Sequence, residues 1–538
     1  MAVRGKHASW RTIFLGSGVI FAVCAALLCH KTLELYSTSL TLCVCTALCA
    51  TTAALCSIVC LDISRRNPSS SHTLTSLLVQ YLFVVLMIIV GKLSFPKLQK
   101  MSKDIQNTQR NVFFSVMRRN AETLYGRKYN FKAFSSPNEY IKSHPLTNYA
   151  HFEPYIDMID NGQENVLSSQ KVVFFAMTSG TTGRNKRLPI LEDYKGRFFF
   201  DAACYYFYKG VDYWNMLALK RVIYVRGSSP PADRKQGLPR GSISNYLGAS
   251  YPFTTTPLSA QLGHIKERET MYIHAVFGAR EREVNVVDTF MASMGYTFFK
   301  VLEEDWKQIC DDIEKGQIDP SLSIDDSIRS DLNQRLSPDP QRAMELRAEF
   351  SKGFEGIVSR IWPLVERIGC IRSGSHMNYA KLLEEKYAKG LPIRNSLYLA
   401  SEGMIGFSMS ADDSYVMLPQ WNFYEFIPAE NCKEEQPDTL LMHQVVKGRD
   451  YELVLTNMRG MYRYRLGDIV RVVDFFYQCP VIDIQYRLGQ MLNIKNEKTP
   501  ESVFYDAIIR AEATWEGIKL IDYTATESVV LERMLGKI

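Results

Sequence analysis

Three apolar runs dominate the N-terminal part of the chain and limit the environments in which it can reside. They extend from Thr12 to Cys29, from Leu40 to Leu61 and from Leu77 to Val90. The first two approach the roughly 20 apolar residues that a membrane-spanning helix needs, and the third is shorter. Because the runs recur, we predict two or three transmembrane helices rather than a cleaved signal peptide. One membrane anchor followed by a buried helical hairpin is the alternative.

The basic residues around these runs bear on orientation. Arg4, Lys6 and Arg11 precede the first run and favour a cytoplasmic N-terminus, and the lysines between residues 92 and 103 favour a cytoplasmic body. Two spans satisfy both preferences, whereas three spans do not. We therefore predict that residues 1–100 form a membrane anchor in contact with lipid. The predicted location is the endoplasmic reticulum membrane, with the catalytic body facing the cytosol.

Charge and cysteine content exclude several classes of protein. The net charge of +6 is spread evenly over 538 residues, and no basic stripe with interleaved aromatic residues occurs, so we expect no nucleic-acid partner. The 12 cysteines include no Cys-x-x-Cys pair, so neither a zinc site nor a disulfide framework is indicated. Scattered thiols suit a reducing compartment.

After residue 103 the pattern becomes that of a globular body. Helical spacing alternates with apolar runs that are typical of strands, which predicts an α/β fold. Strands are expected at Ser396 to Ala400, Phe423 to Ile427, Tyr451 to Leu455 and Tyr462 to Val472. Because these strands follow one another closely, we predict that this end of the body is an antiparallel β subdomain.

A loop of small residues lies between two short apolar runs in the first part of the body. The run from Lys171 to Met177 leads into Thr178 to Lys186, and Leu188 to Ile190 follows. Glycines bring backbone N–H groups close to an anion, hydroxyls add donors, and lysine adds positive charge. The loop is therefore either a nucleotide-phosphate loop or an ordinary polar hairpin. It is not a Walker A sequence.

Three later stretches carry polar groups that suit a nucleotide site. Glu402 follows a predicted strand and could hold magnesium beside phosphates, or it is a surface glutamate at a turn. Phe423 and Tyr424 lie in an alternating strand that presents a ring either to a base or to the core. Asp468 follows two arginines and two tyrosines, and it either accepts from ribose hydroxyls or forms a structural pair with an arginine.

Together with the loop, these stretches resemble the Gretchen Hagen family of acyl acid amido synthetases, part of the acyl-adenylate-forming superfamily. The resemblance runs from about Asp104 to about Val530 and is closest to the animal members. It implies a large adenylate-forming α/β domain over residues 101–486, followed by a hinge and a small C-terminal α/β domain over residues 487–538. The strongest sections are Arg119 to Thr123, Thr178 to Lys186, Trp306 to Gly316, Tyr398 to Glu402, Phe423 to Pro428 and Tyr451 to Glu501.

The resemblance also implies residue roles. Glu402 would bind magnesium and act in catalysis together with Lys186, and Ser401 would contact the adenine side. Asp468 would bind ribose, and Arg487 would lie in the hinge beside the nucleotide. The remaining nucleotide-binding residues implied in this way are Thr178, Ser179, Gly180, Thr181, Thr182 and Gly183 around the phosphates, with Phe423 and Tyr424 near the base.

Two departures from the family pattern affect the expected activity. The hinge sequence often contains Arg-Lys-Asn in the family, whereas here it is Arg487-Leu488-Gly489. The chain stops at Ile538, so we expect a truncated small domain without the lysine that steadies the adenylate-forming transition state in this superfamily.

The function that the resemblance implies is an ATP-dependent acid–amino acid ligase. It would form an acyl-adenylate from a carboxylic acid and then an amide with an amino acid or another amine, using ATP and magnesium. The alternative is a membrane-anchored nucleotide-binding pseudoenzyme or scaffold.

Overall fold

A computed structural model gives the fold of the chain. It describes residues 9–36, 39–178, 186–192, 194–227, 237–241, 251–262, 265–372, 376–410, 412–488, 491–494 and 497–500, with a few positions between 507 and 515.

Three long apolar helices open the chain: α1 (Trp10–Leu35), α2 (Leu40–Arg65) and α3 (Leu74–Lys103). By length and composition, each of the three is long and apolar enough to cross a membrane. Helix α3 is longer than the third apolar run predicts, because it continues through Pro96 to Lys103. Asp104 then ends α3 and caps the next helix, since its carboxylate accepts a hydrogen bond from the backbone N–H of Asn107.

The remaining helices surround the body. They are α4 (Ile105–Asn120), α5 (Leu124–Lys128), α6 (Pro137–Ser143), α7 (Tyr149–Asp160), α8 (Tyr194–Gly210), α9 (Leu258–Leu262), α10 (Glu267–Arg280), α11 (Ala292–Glu304), α12 (Trp306–Lys315), α13 (Asp326–Arg335), α14 (Pro340–Phe350), α15 (Ile357–Ile361) and α16 (His376–Leu382). A π-helical turn (Leu383–Ala388) continues α16, and a short 3₁₀ turn covers Ala429–Asn431.

The strands of the described residues form four sheets. They are β1 (Val172–Thr178), β2 (Lys186–Leu191), β3 (Arg221–Tyr224), β4 (Arg240–Gly241), β5 (Val284–Met291), β6 (Arg367–Ile371), β7 (Ile393–Arg394), β8 (Leu397–Ala400), β9 (Gly403–Phe407), β10 (Tyr415–Met417), β11 (Phe423–Pro428), β12 (Leu440–Leu441), β13 (Asp450–Thr456), β14 (Tyr464–Phe476), β15 (Cys479–Arg487), β16 (Met491–Ile494) and β17 (Glu497–Pro500).

Their pairing confirms the α/β fold and its antiparallel end. Strands β3, β5, β6 and β7 make a parallel sheet in that order, packed with α10 to α16. An eight-stranded antiparallel sheet has the order β12-β11-β13-β14-β15-β10-β9-β8. Strands β2, β1 and β4 form a third sheet, and β16 pairs with β17. The four predicted strands between residues 396 and 472 are confirmed within two residues at their starts, and the last extends to Phe476.

Helix α3 is built into the body rather than standing apart from it. Its last turns place Phe95 and Leu98 in the core that also contains the antiparallel sheet. Where α3 crosses α8, a Cβ at Gly91 would lie 2.1 Å from the carbonyl oxygen of Cys204, so only glycine allows this approach. The predicted boundary between residues 100 and 101 therefore falls inside a helix that contributes to the body's core.

Candidate active site

The predicted loop connects two paired strands, as the apolar runs on either side of it indicate. Strands β1 and β2 are antiparallel neighbours, and Thr178 pairs with Lys186 at the point where the loop leaves and returns. The predicted phosphate-binding residues Ser179, Gly180, Thr181, Thr182 and Gly183 lie outside the described residues. The structure therefore shows the positions of the two ends of the loop, Thr178 and Lys186, on paired strands.

A buried carboxylate lies close to the lysine at the end of this loop. Ser401 and Glu402 form the turn between β8 and β9, and the side chain of Glu402 is buried. The hydroxyl of Tyr464 donates to Glu402 Oε1 at 3.2 Å, and the Nζ of Lys186 lies 3.5 Å from the same hydroxyl. Tyr464 thus connects the two predicted catalytic residues.

The second carboxylate of the cluster belongs to Asp468. Asp468 on β14 faces Arg487 across the strand pair, and the Nε of Arg487 lies 3.6 Å from Asp468 Oδ1. The hydroxyl of Tyr398 donates to Asp468 Oδ2 at 2.6 Å. Asp468 therefore forms a pair with Arg487 and also lies near Lys186 and Glu402. Its position is compatible both with ribose binding and with a structural arginine pair. Tyr398 and Tyr464 had no predicted role, since tyrosines in strands most often serve as core residues.

The cluster combines two carboxylates with two cations in a largely buried place. Burial lowers the pKa of Lys186; the Arg487 charge lowers it further, and Glu402 and Asp468 act in the opposite direction. Burial raises the pKa of Asp468, and Arg487 partly offsets that effect. Burial alone would lower the pKa of Arg487, but Asp468 and Glu402 raise it. The pKa of each of these three groups therefore depends on the charges of its neighbours, and such perturbed pKa values are common at functional sites.

The turn that carries Ser401 and Glu402 is fixed by backbone contacts. The Nη1 of Arg459 donates to the carbonyl oxygen of Ser401 at 2.6 Å, and its Nε donates to that of Pro189 in β2 at 3.0 Å. The Nδ2 of Asn457 donates to the carbonyl oxygen of Glu402 at 3.1 Å. Arg459 therefore holds the β8–β9 turn against the strand that follows the loop. Sequence reasoning missed this arginine, because its partners are distant backbone atoms.

The aromatic pair predicted near the base lies inside the body. Phe423 and Tyr424 are both buried, since both faces of β11 are covered. The ring of Phe423 lies 5.3 Å from that of Phe113, and the Tyr424 hydroxyl accepts from Asn422 Nδ2 at 2.9 Å. In the described arrangement Tyr424 serves the core and does not line the cluster. Contact of either ring with a base stays a prediction.

The two arginines before Asp468 form interior ion pairs instead of polar anchors at a site. Arg463 Nη2 lies 2.8 Å from Glu425 Oε2, and both side chains are buried. Arg465 Nη2 lies 2.6 Å from Glu452 Oε2. In the stretch from Tyr462 to Asp468, the two arginines therefore stabilise the sheet, whereas Asp468 belongs to the charged cluster.

A cavity of about 270 Å³ lies on one face of the parallel sheet, under α3 and α8. Its apolar wall includes Phe83, Val84 and Met87 of α3 with Phe207 of α8. Leu397 and Leu399 of β8 also line it, whereas Tyr398 between them turns to Asp468, because alternate residues of a strand face opposite sides. Strand β8 thus has the cavity on one side and the charged cluster on the other.

Polar side chains also line the cavity, and some of their buried atoms are unpaired among the described residues. Its charged lining residues are Arg226, Asp288 and Arg367, two cations for one carboxylate. Burial raises the pKa of Asp288, and the two guanidinium groups partly offset this. The buried Oδ1 of Asn285 has no hydrogen-bond partner among the described residues. Nothing in the sequence pattern brings these residues together, because they come from three different strands or their ends.

The described residues contain no group of three or more His, Cys, Asp or Glu side chains placed to hold a metal ion. Magnesium, however, binds through one or two carboxylates together with substrate phosphates. Glu402 fits this role, since Tyr464 donates to Oε1 and no described residue donates a hydrogen bond to Oε2.

Comparison with known proteins agrees with this fold. The body resembles the solved structure of GH3.15 acyl acid amido synthetase, with a TM-score of 0.70 and 24% sequence identity over 79% of this chain and 76% of that one. A second solved structure, AtGH3.15 acyl acid amido synthetase in complex with 2,4-DB, matches with the same TM-score and covers 75% of that chain. The fold is therefore that of the acyl acid amido synthetases.

Sequence comparison identifies the family. Residues 95–393 match the GH3 family N-terminal domain, and residues 415–487 match the GH3 family central domain. The chain is 28% identical to indole-3-acetic acid-amido synthetase GH3.8 of Oryza sativa subsp. indica, over 81% of this chain and 75% of the relative. It is 26% identical to indole-3-acetic acid-amido synthetase GH3.3 of Arabidopsis thaliana, over 80% and 75%. The chain belongs to the GH3 family, which confirms the predicted resemblance.

Proposed function

We propose that the protein is an ATP-dependent ligase that joins a carboxylic acid to an amino acid or another amine. A carboxylate oxygen of the acid attacks the α-phosphorus of ATP, so that acyl-AMP forms and pyrophosphate leaves. The amine nitrogen then attacks the acyl carbon, AMP leaves, and the nitrogen loses a proton. The observation that carries the proposal is the cluster of Lys186, Glu402, Asp468 and Arg487 at the ends of the loop between β1 and β2.

The charges of the cluster suit a bound nucleotide. Lys186 lies where the loop ends, so its positive charge is placed to stabilise the negative charge that develops on phosphate oxygens. Asp468 supplies a buried acceptor for ribose hydroxyls, and Arg487 adds a second cation beside it. Glu402 Oε2 would hold magnesium, which when bound neutralises charge on the phosphates.

The cavity beside the cluster suits the acid. Its lining is mainly apolar, and its two arginines exceed its single aspartate by one positive charge, which favours an anionic guest. Strand β8 separates the cavity from the cluster by the thickness of a strand, so an acid in the cavity lies close to a nucleotide in the cluster. We infer that the first step takes place around the end of β8.

The direct test is a chemical assay on the purified full chain in lipid nanodiscs. We expect magnesium-ATP and a panel of carboxylic acids to support exchange of labelled pyrophosphate into ATP, and addition of amino acids to give amides detectable by mass spectrometry. Absence of both products, with ATP binding intact, would instead support the pseudoenzyme or scaffold. The hinge sequence without lysine is the observation that keeps this alternative in view.

A pH dependence of nucleotide binding follows from Asp468. Its pKa is raised by burial, and it accepts ribose hydrogen bonds best as a carboxylate. ATP affinity should therefore fall on acidification through the raised pKa of Asp468, starting above the range usual for an exposed aspartate. Titration of a fluorescent ATP analogue across pH measures this.

The Asp468→Asn variant should bind ATP weakly at every pH, and its ATP affinity should no longer fall on acidification. Asp438→Asn, which changes an exposed aspartate, serves as the control and should retain the wild-type profile. A wild-type affinity that stays constant over this acidic range, while the fold is retained, would contradict a role for Asp468 in ribose binding.

The membrane location is also a proposal. The two helices α1 and α2 have the length and composition of spans, and most of their large apolar side chains are exposed. We infer that they anchor the protein in the endoplasmic reticulum membrane with the body in the cytosol, where ATP is abundant.

A further inference from the structure

Helix α3 is long and apolar enough to cross a membrane, yet both of its ends contact the same body. Near its start, Gln80 Nε2 donates to the carbonyl oxygen of Lys220 at 2.8 Å. Near its end, the ring of Phe95 lies 6.0 Å from that of Tyr205 and 5.8 Å from that of Phe476. A spanning helix delivers its ends to opposite sides of about 30 Å of hydrocarbon. Because one body holds both ends of α3, a crossing by α3 would place that body on both sides of the membrane.

The outward face of α3 is nevertheless apolar. Leu82, Leu86, Ile89 and Leu93 are 58%, 53%, 49% and 76% exposed, and their spacing of three and four residues places them in one stripe. The exposed Lys97 continues the stripe toward the end of the helix. Long lysine side chains beside an apolar stripe are typical of helices that lie in a membrane interface, with the charges at the lipid headgroups.

The occupant of this face is lipid, because the face adjoins the helical hairpin of α1 and α2. The Nε1 of Trp10 donates to the carbonyl oxygen of His72 at 3.0 Å, and Ser64 Oγ donates to that of Arg11 at 2.9 Å. Both ends of the hairpin are therefore held beside the start of α3. The hairpin crosses twice and returns, so the N-terminus and the body share one side. This arrangement removes the conflict that three spans would create.

The inward face of the same helix lines the cavity. Phe83, Val84 and Met87 contact the cavity, whereas Leu82 and Leu86 point away from the body. The thickness of one helix therefore separates the cavity from the lipid that covers the outward face. Molecules dissolved in the bilayer would have the shortest path into a cavity in this position.

We propose that α3 lies in the membrane interface and that the cavity behind it takes the hydrocarbon chain of a long-chain carboxylic acid drawn from the bilayer. This inference rests on the proposed ligase function for its turnover readout. The apolar lining receives the chain, and the excess positive charge of Arg226 and Arg367 over Asp288 favours the anionic form of the acid.

The position of α3 is tested by labelling of engineered cysteines. The exposed hairpin cysteines are first replaced by serine; they are Cys24, Cys29, Cys45 and Cys49. In that background, Thr75→Cys and Lys100→Cys lie at exposed positions near the two ends of α3. In sealed vesicles, we expect a membrane-impermeant maleimide to label both from the side that carries the body. Labelling of the two positions from opposite sides would overturn the proposal.

The substrate class is tested by comparing two acids. Hexadecanoic acid dissolved in phosphatidylcholine vesicles represents the bilayer-borne class, and benzoic acid in solution represents the water-borne class. Leu86→Glu places a charge in the lipid-facing stripe and should raise KM for the bilayer-borne acid about tenfold, with kcat and the KM for the soluble acid unchanged. Met344→Glu, at an exposed site on α14, should change neither.

The outcomes separate this inference from the ligase function. Turnover of benzoic acid with none of hexadecanoic acid, or an unchanged KM in Leu86→Glu, would overturn the inference and leave the ligase function standing. If no acid gives an amide, the ligase function fails, and binding decides the inference. Dansyl-labelled undecanoic acid in vesicles should then bind the wild-type protein and not Met87→Trp, which fills the cavity. Equal binding by a Met87→Trp variant that still binds ATP would overturn it.

Discussion

Replacement of Glu402 by Gln is expected to reduce amide formation by about 100-fold to 1,000-fold, the range found when one charge-stabilising group is removed from an active site. The side chain keeps its shape, and the Tyr464 hydroxyl can still donate to the remaining oxygen. The carboxylate charge beside Lys186 and the proposed magnesium ligand are both lost. The rate of amide formation at saturating ATP and magnesium measures the effect, with thermal unfolding recorded in parallel.

A matched control for this substitution is Glu435→Gln. Glu435 is exposed and lies outside the cluster, so its replacement should leave both rate and stability unchanged. A Glu402→Gln protein that folds and works at the wild-type rate would remove Glu402 from the mechanism. An equal loss in both variants would indicate a general effect of charge on the preparation.

Truncation of Glu425 to Ala is expected to lower the free energy of unfolding by about 3–5 kcal/mol, because it leaves the buried guanidinium of Arg463 without a countercharge. Thr439 Oγ1 donates to Glu425 Oε2 at 2.6 Å and also loses its acceptor. Thermal or denaturant unfolding of the full chain in detergent, followed by near-UV circular dichroism, measures the loss.

The double variant Glu425→Leu with Arg463→Met supplies the complementary measurement. Removal of both charges leaves no unpaired ion, but the carbonyl oxygens of Ile141 and His144 lose their donor. The double variant should therefore regain part of the stability that Glu425→Ala loses. Arg471→Met breaks a partly exposed pair with Asp450 in the same sheet and should cost no more than about 1 kcal/mol. A loss as large as that of Glu425→Ala would show that sheet position, not burial, sets the cost.

Much of the fold was predictable, because its elements have local sequence signals. Apolar runs that follow one another closely marked the strands between residues 396 and 472. The extent of α3 was not predictable in this way. Pro96 and several lysines interrupt its apolar run, and the helix continues because Phe95 and Leu98 are buried against distant parts of the chain.

The candidate site was predictable where its residues lie in a recognisable motif. Lys186, Glu402, Asp468 and Arg487 were predicted separately and meet in one cluster. The residues that connect or support them were not predicted, because their roles depend on contacts across the sheet. Tyr464 connects Lys186 to Glu402, and the cavity arises where α3 and α8 cover a sheet whose strands are far apart in sequence.

The way α3 crosses α8 at Gly91 also decides how the body can be prepared without the hairpin of α1 and α2. A fragment that begins after residue 100 would lose one wall of the cavity and expose the apolar surface of α8 to water. A fragment that begins at Ser69, ahead of the cap at Thr73, keeps α3 whole and retains its contacts with Leu219 and Lys220. A fragment of the body that keeps α3 whole therefore starts 26 residues before the family match at residue 95, and it exposes the apolar stripe of Leu82, Leu86, Ile89 and Leu93.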